Sequence, residues 1–254
     1  PLIAIIPISF SVSPFMVFTD EMLTWPPDPD AWSLRWYKNM IGNCSADVVS
    51  STVPCSNKWM IGTVNSFFIG FVATFIATTL GTLAALGLSR PHMPYKGLIM
   101  AILISPMIVP LIITAAGMFF FYARINLVYS FTGIILAHVA LATPFVVITV
   151  TATLVGFDMN MVKASQSLGA RPVRTFFKVI MPLILPGVIS GALFAFITSF
   201  DEVVIVMFMA SLDQLTIPKQ MWAGIRQEIS PVILCMATCL VILSILLLTT
   251  VELL

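Results

Sequence analysis

Long apolar runs separated by short polar connections organise this chain. A helix needs about 20 mostly apolar residues to cross a hydrocarbon layer roughly 30 Å thick. Six runs meet or approach that length: 1–18, 62–88, 97–123, 133–157, 183–200 and 231–251. The pattern predicts an all-α integral membrane protein with six transmembrane helices, 1–254 forming one bundle. Pro1 opens straight into apolar sequence with no charged lead-in, so no cleavable signal peptide is expected, and both ends read as trimmed. Pro106 and Pro110 in the third run and Pro144 in the fourth predict kinks, because each removes an amide and frees a carbonyl.

Composition sharpens the picture. Of 254 residues, 59% are hydrophobic and 9% charged, with a mean hydropathy of +1.05. Soluble domains carry roughly 25% charged residues, so there is too little polar surface here for a water-soluble enzyme or a disordered chain. A net charge of +1 lacks the basic face that nucleic acid would need.

Lys and Arg set the orientation. Arg90, Lys96, Lys163, Arg171, Arg174 and Lys178 crowd two short connections, whereas Arg35, Lys38, Lys58, Arg124, Lys219 and Arg226 spread over three longer ones. Trp25, Trp32, Trp36, Trp59 and Trp222 all fall on the second side. The denser side is expected to be cytoplasmic, and six spans place both termini there. Cys44 and Cys55 then share an outer loop at about 19–61, where an oxidising compartment would allow a bridge; two free thiols are the other reading. Cys235 and Cys239, one helical turn apart in the sixth run, read as packing residues.

Two small-residue stripes recur every fourth position: Ala73, Ala77, Gly81 and Ala85 in the second run, and Gly187, Gly191, Ala195 and Ser199 in the fifth. Small side chains let helix backbones approach closely in lipid. His138, inside the fourth run, needs a partner and reads as a helix–helix hydrogen bond rather than a proton relay. Arg124 reads as an interfacial anchor.

Two features carry candidate chemistry. Residues 158–187, DMNMVKASQSLGARPVRTFFKVIMPLILPG, start too polar to cross the bilayer. Met161, Ala164, Ser165 and Leu168 recur at helical spacing, Gly169 suits a helix end with positive φ, and Arg171-Pro172 restarts the chain. Phe176, Phe177 and Val179 offer an apolar side, so this is either an interfacial anchor or a docking element. The second feature is Asp201-Glu202, adjacent acids in apolar sequence. Residues 203–212 are too short to cross again, so the tail either extends the helix or re-enters near the outer face, within a segment of about 203–230. The acids either face a pathway or are solvated at a helix end or paired with Arg226; Trp222 and Glu228 either add an aromatic face and a third carboxylate for a cation or are an interfacial aromatic and a loop acid.

The run Lys163-Ala164-Ser165, then Leu168-Gly169-Ala170-Arg171 and the later Pro182 and Pro186-Gly187, resembles the EAA signature of ABC importer permeases, with Lys163 in place of the usual glutamate and Ser165 in place of the second alanine. That resemblance implies a cytoplasmic coupling helix, within about 158–181, that docks on an ATPase subunit. Ala142-Thr143-Pro144-Phe145-Val146-Val147, Gly156-Phe157-Asp158, Ser199 to Val204, and Met221-Trp222 with Ile225-Arg226 are similar to the spermidine/putrescine branch, in the manner of its second permease. The resemblance implies a sister permease as heterodimer partner, two ABC ATPase subunits that bind the ATP and Mg, a periplasmic solute-binding protein, and residence in the bacterial inner membrane. It implies a non-catalytic chain with no cofactor or metal of its own. Related branches carry amino-acid-like or opine-type solutes instead.

Two other classes are compatible with an apolar helical chain. An ion-coupled carrier or channel would use Asp201, Glu202 and His138 as ion sites, but the runs show no internal repeat. A membrane-embedded enzyme lacks support from any Ser/His/Asp, HExxH or clustered carboxylate pattern. No GxxxxGK[ST] run is present, so an ATP-driven mechanism needs a partner to hold the nucleotide.

Overall fold

The computed structural model describes residues 2–24, 29–42, 57–90, 92–158, 160–227 and 230–253. In chain order the helices are α1 (Leu2–Ser9), α2 (Asp20–Leu23), α3 (Arg35–Ile41), α4 (Lys58–Leu88), α5 (Lys96–Ile108), α6 (Leu111–Arg124), α7 (Phe131–Val155), α8 (Asn160–Ser167), α9 (Pro172–Phe200), α10 (Val204–Met209), α11 (Ile217–Gln227) and α12 (Val232–Leu253). Among the described residues, α4, α7 and α9 are long and apolar enough to cross a membrane, and α5 with α6 makes a fourth span if that bent pair is one.

The first apolar run does not form one helix over 1–18. Helix α1 ends at Ser9, and Ser11 pairs instead with Trp32 in an isolated antiparallel bridge. Serines explain the stop. The Ser11 hydroxyl accepts from the Ser13 amide and the Ser13 hydroxyl accepts from the Phe15 amide, both at 3.1 Å. Such local side-chain bonds offer the backbone an alternative to the helix.

Of the prolines in the third run, only Pro110 breaks the chain. Val109 before it is extended at ψ 135°, and α5 and α6 meet at a bend of 103°. A residue preceding proline is pushed out of the helical region by the pyrrolidine ring. Pro106 stays inside α5. It cannot donate to the Ile102 carbonyl, but the Ser105 hydroxyl does so at 2.8 Å and satisfies the acceptor that proline orphans. Pro144 likewise lies within the unbroken α7.

The fifth run starts earlier than its hydropathy suggests. Helix α9 is continuous from Pro172, so Phe176, Phe177 and Val179 belong to it rather than to a separate surface segment. Pro182 has no amide for the Lys178 carbonyl, and the turns at Phe176–Ile180 widen to π geometry, with the Met181 amide donating to Phe176.

The chain divides into two compact units, Pro1–Val64 with Leu215–Leu254, and Asn65–Gln214. In the first, α1, α3 and α12 pack together. The Trp36 indole donates to the Ser11 carbonyl at 2.8 Å, Tyr37 and Ser9 hydroxyls pair at 2.8 Å, and the buried Cys235 thiol donates to the Ser9 carbonyl at 3.4 Å. Cys235 is thus a packing residue, as its setting suggests.

In the second unit α7 is the central post. Both small-residue stripes are buried. A Cβ on Gly81 would lie 2.7 Å from the Val146 Cβ, and one on Gly191 would lie 3.0 Å from the Val146 Cα and 2.5 Å from the Thr149 hydroxyl. A Cβ on Gly187 would collide with the Thr153 hydroxyl. Lipid tails are as apolar as the helices, so close approach supplies the dispersion contacts that hold such a bundle. The second stripe ends at Ser199, whose hydroxyl bonds the buried His138 Nδ1 at 2.8 Å. That pair is the helix–helix hydrogen bond expected of His138.

Candidate functional site

The second unit brings its candidate chemistry to two places. The first is the end of α9. The helix stops at Asp201, and after Glu202 and Val203 the short α10 packs against α6 and α7. The tail is therefore not an extension of the helix. A cavity of about 370 Å³ opens here, lined by Asp201 and Glu202 with Leu111, Ile197, Thr198, Val203 and Val204. Leu111 reaches it because the break at Pro110 turns α6 away from α5.

The adjacent acids have different environments. Asp201 is exposed, while Glu202 is only 8% exposed and its Oε1 accepts from the Ile205 amide at 2.9 Å, capping the first turn of α10. A cap of this kind contributes about 1 kcal/mol. The far end of the segment is pinned as well. The Gln214 amide donates to the Tyr129 carbonyl at 2.9 Å while its oxygen accepts from the Ser211 amide, the Tyr129 amide donates to Met209, and the Asn65 amide donates to the Asp213 carbonyl at 3.0 Å. An exposed carboxylate beside a hydroxyl and apolar walls suits an ammonium group carried on a methylene chain.

The sequence alone singled out the acids but not Thr198 or Leu111. Thr198 was legible in principle, three residues before Asp201 and so on the same helical face. Leu111 was not, because its place depends on a tertiary bend. Of the other proposed pathway residues, Trp222 is half-exposed on α11 in the first unit, and Glu228 lies outside the described residues, as do Cys44, Cys55 and Trp25.

The second place is α8. Gly169 takes φ +79°, its amide donates to Gln166 and the Ala170 amide donates back to Ser165, so the helix ends in a Schellman motif. Only a residue without Cβ adopts that φ at no steric cost. Beyond it, Pro172 opens α9 with Arg171 as the extended residue before it. The Ser165 hydroxyl meets that of the buried Thr175 at 3.0 Å, tying α8 to the start of α9. Lys163, Ala164, Leu168 and Arg171 are exposed, and Leu168 is 89% exposed at the tip. Leu168 thus stands out as an exposed apolar side chain with Lys163 and Arg171 exposed in the same segment.

A helical bundle with apolar spans, a close-packed central post, an acid-lined cavity and a protruding amphipathic turn has the features of a membrane transport subunit. Residues 77–254 match the family of binding-protein-dependent transport system inner membrane components, and the chain belongs to that family. It is 29% identical over 213 residues to the spermidine/putrescine transport system permease protein PotC of Haemophilus influenzae, covering 84% of this chain and 78% of that one. Against PotC of Escherichia coli K12 it is 32% identical over 174 residues, covering 68% of this chain and 66% of the relative. The putrescine transport system permease protein PotI of the same strain is 28% identical over 215 residues, covering 82% and 72%. In fold it is similar to a chain of a bacterial ABC transporter involved in import of the acidic polysaccharide alginate, with TM-score 0.70, 15% identity, and coverage of 99% of this chain and 89% of that one.

Proposed function

We propose that this chain is one of two permease subunits of an ATP-driven importer for a small organic cation of the spermidine/putrescine class. Relatives named for spermidine and putrescine transport support the substrate class. The observation that carries it in this molecule is the exposed Asp201 carboxylate in the wall of an otherwise largely apolar cavity. On this reading the chain crosses the bacterial inner membrane through α4, α7 and α9, the bent α5–α6 pair and α12, while α1, at eight residues, is too short to span it. A sister permease lines the other half of the pathway, and a periplasmic receptor delivers solute. Two ATPase subunits hold the ATP and Mg, and one of them receives the α8 tip, with Leu168 as the apolar anchor and Gly169 fixing its direction. ATP-driven closure of the ATPases moves α8, and Ser165–Thr175 passes that displacement to α9, at whose far end the cavity lies.

Uptake of radiolabelled spermidine, with co-purification of the ATPase, tests the assignment. Gly169→Asp is expected to abolish uptake and stimulated ATP hydrolysis while the chain still inserts, because the Schellman end is lost and a charge is placed at the docking tip. Full uptake by that variant would remove α8 from the mechanism.

A further inference from the structure

We infer that the two adjacent acids divide their work: Asp201 meets the cation, and Glu202 is a positioning residue that fixes the cavity wall by capping α10. This deepens the proposed cation site and rests on it for the substrate. Three observations carry the division. Glu202 is buried, whereas Asp201 beside it is exposed. The Glu202 Oε1 is engaged by the Ile205 amide at 2.9 Å, and the Val204 amide lies close to the same carboxylate, so its acceptor capacity is directed into the backbone of its own segment. The turn it stabilises is the one that carries Val203 and Val204, which line the cavity with Asp201.

The packing of α10 shows why a side chain is needed there. Ile205, Val206 and Met209 are fully buried against α6 and α7. They can be seated only if the chain leaves α9 in one defined direction, and the break at Asp201–Val203 leaves the first amides of α10 without helical partners. Glutamate at 202 satisfies one of those amides from within the break. Asp201, which caps the C-terminal end of α9, is thereby held at the cavity mouth rather than turned into the core. Capping requires an acceptor oxygen, not a negative charge, so glutamine meets the requirement and alanine does not. Cation recognition by Asp201 depends on the charge itself.

The test compares Glu202→Gln, Glu202→Ala and Asp201→Asn in the transporter reconstituted with its partner subunits, with spermidine as the probe. Asp201→Asn is expected to raise KM for uptake at least tenfold. Glu202→Ala lowers the uptake rate at least tenfold, and Glu202→Gln restores most of that loss, with KM within about twofold of the parent. A Glu202→Gln variant whose KM rises as far as that of Asp201→Asn would show that the Glu202 charge touches substrate and would overturn the division. So would a Glu202→Ala variant indistinguishable from Glu202→Gln. Should Glu202→Ala fail to assemble, the KM of Glu202→Gln still decides. A second measurement needs no substrate. The rate at which a cationic methanethiosulfonate labels Asp201→Cys, above the labelling of the chain's own cysteines, is expected to persist when Glu202→Gln is added and to change severalfold when Glu202→Ala is added. If Asp201→Asn leaves spermidine KM unchanged, the cation site itself is wrong, while the labelling rates still report whether Glu202 holds the segment; equal labelling in the Gln and Ala backgrounds overturns the cap.

Discussion

Helices α5 and α7 are both apolar, both carry an internal proline and both lie in the second unit, yet they meet opposite fates. Two-thirds of the apolar stretch of α7 is buried, whereas no residue of α5 is. Hydropathy does not separate them. What separates them is the neighbours: α7 faces the glycines and alanines of α4 and α9, which bring backbone against Val146 and Thr149. Helix α5 has no such stripe and, at 13 residues, spans only about 20 Å. In a chain made largely of apolar residues, small side chains at four-residue spacing say more about the core than hydrophobicity does.

The strongest test of that contrast adds one methyl group to each kind of helix. Gly191→Ala would place Cβ 3.0 Å from the Val146 Cα, a backbone atom that cannot swing aside, and is expected to destabilise the bundle by about 1–3 kcal/mol. Gly117→Ala, on α6 with nothing within 4 Å of the added atom, is expected to stabilise by about 0.5–1 kcal/mol through helix propensity. Thermal unfolding in one detergent should move in opposite directions for the two. Equal shifts would mean that the glycine stripe is incidental to packing.

A smaller effect belongs to the polar contact at the end of the same seam. Ser199→Ala removes the hydroxyl from His138 Nδ1 and leaves a buried imidazole without that partner. The expected loss is about 1 kcal/mol, near the usual worth of an interhelical hydrogen bond in a membrane protein. If His138 were a proton relay, the same variant would change the pH profile of uptake rather than the unfolding temperature. An unchanged melting curve with a shifted pH profile would favour the relay.

Much of this was legible in the sequence because it depends on local spacing. The stripes at Ala73 to Ala85 and Gly187 to Ser199, the helix end at Gly169 and the partner needed by His138 all follow from helical periodicity or from the cost of burying a polar group. The break at Pro110 follows from proline sterics. The first apolar run misled because hydropathy counts Ser11 and Ser13 as mild interruptions, whereas their hydroxyls bind the following backbone amides. The acid pair was visible, but its division was not: Asp201 and Glu202 are chemically alike, and only the turn into α10 buries one and exposes the other. Leu111 and Gln214 join that region through bends and long-range hydrogen bonds, for which a single sequence offers no signal.

Within α5 itself, the survival of the helix past Pro106 offers the finest test. The Ile102 carbonyl has lost its amide partner to proline, and the Ser105 hydroxyl donates to it at 2.8 Å. Ser105→Ala removes that donor without touching any buried residue, since none exists on this helix. The carbonyl is then left to surroundings poor in donors, at a cost of about 0.6 kcal/mol if it behaves like other side-chain hydrogen bonds in membranes. The bend should respond more than the stability does. With spin labels at Gly97 and Ile108, the distance between the ends of α5 is expected to shorten and its distribution to broaden in Ser105→Ala, as the freed turn flexes at Pro106. A distribution identical to that of the parent would mean that packing against α7, not the serine, holds α5 straight, and that the contrast between the two helices is one of degree.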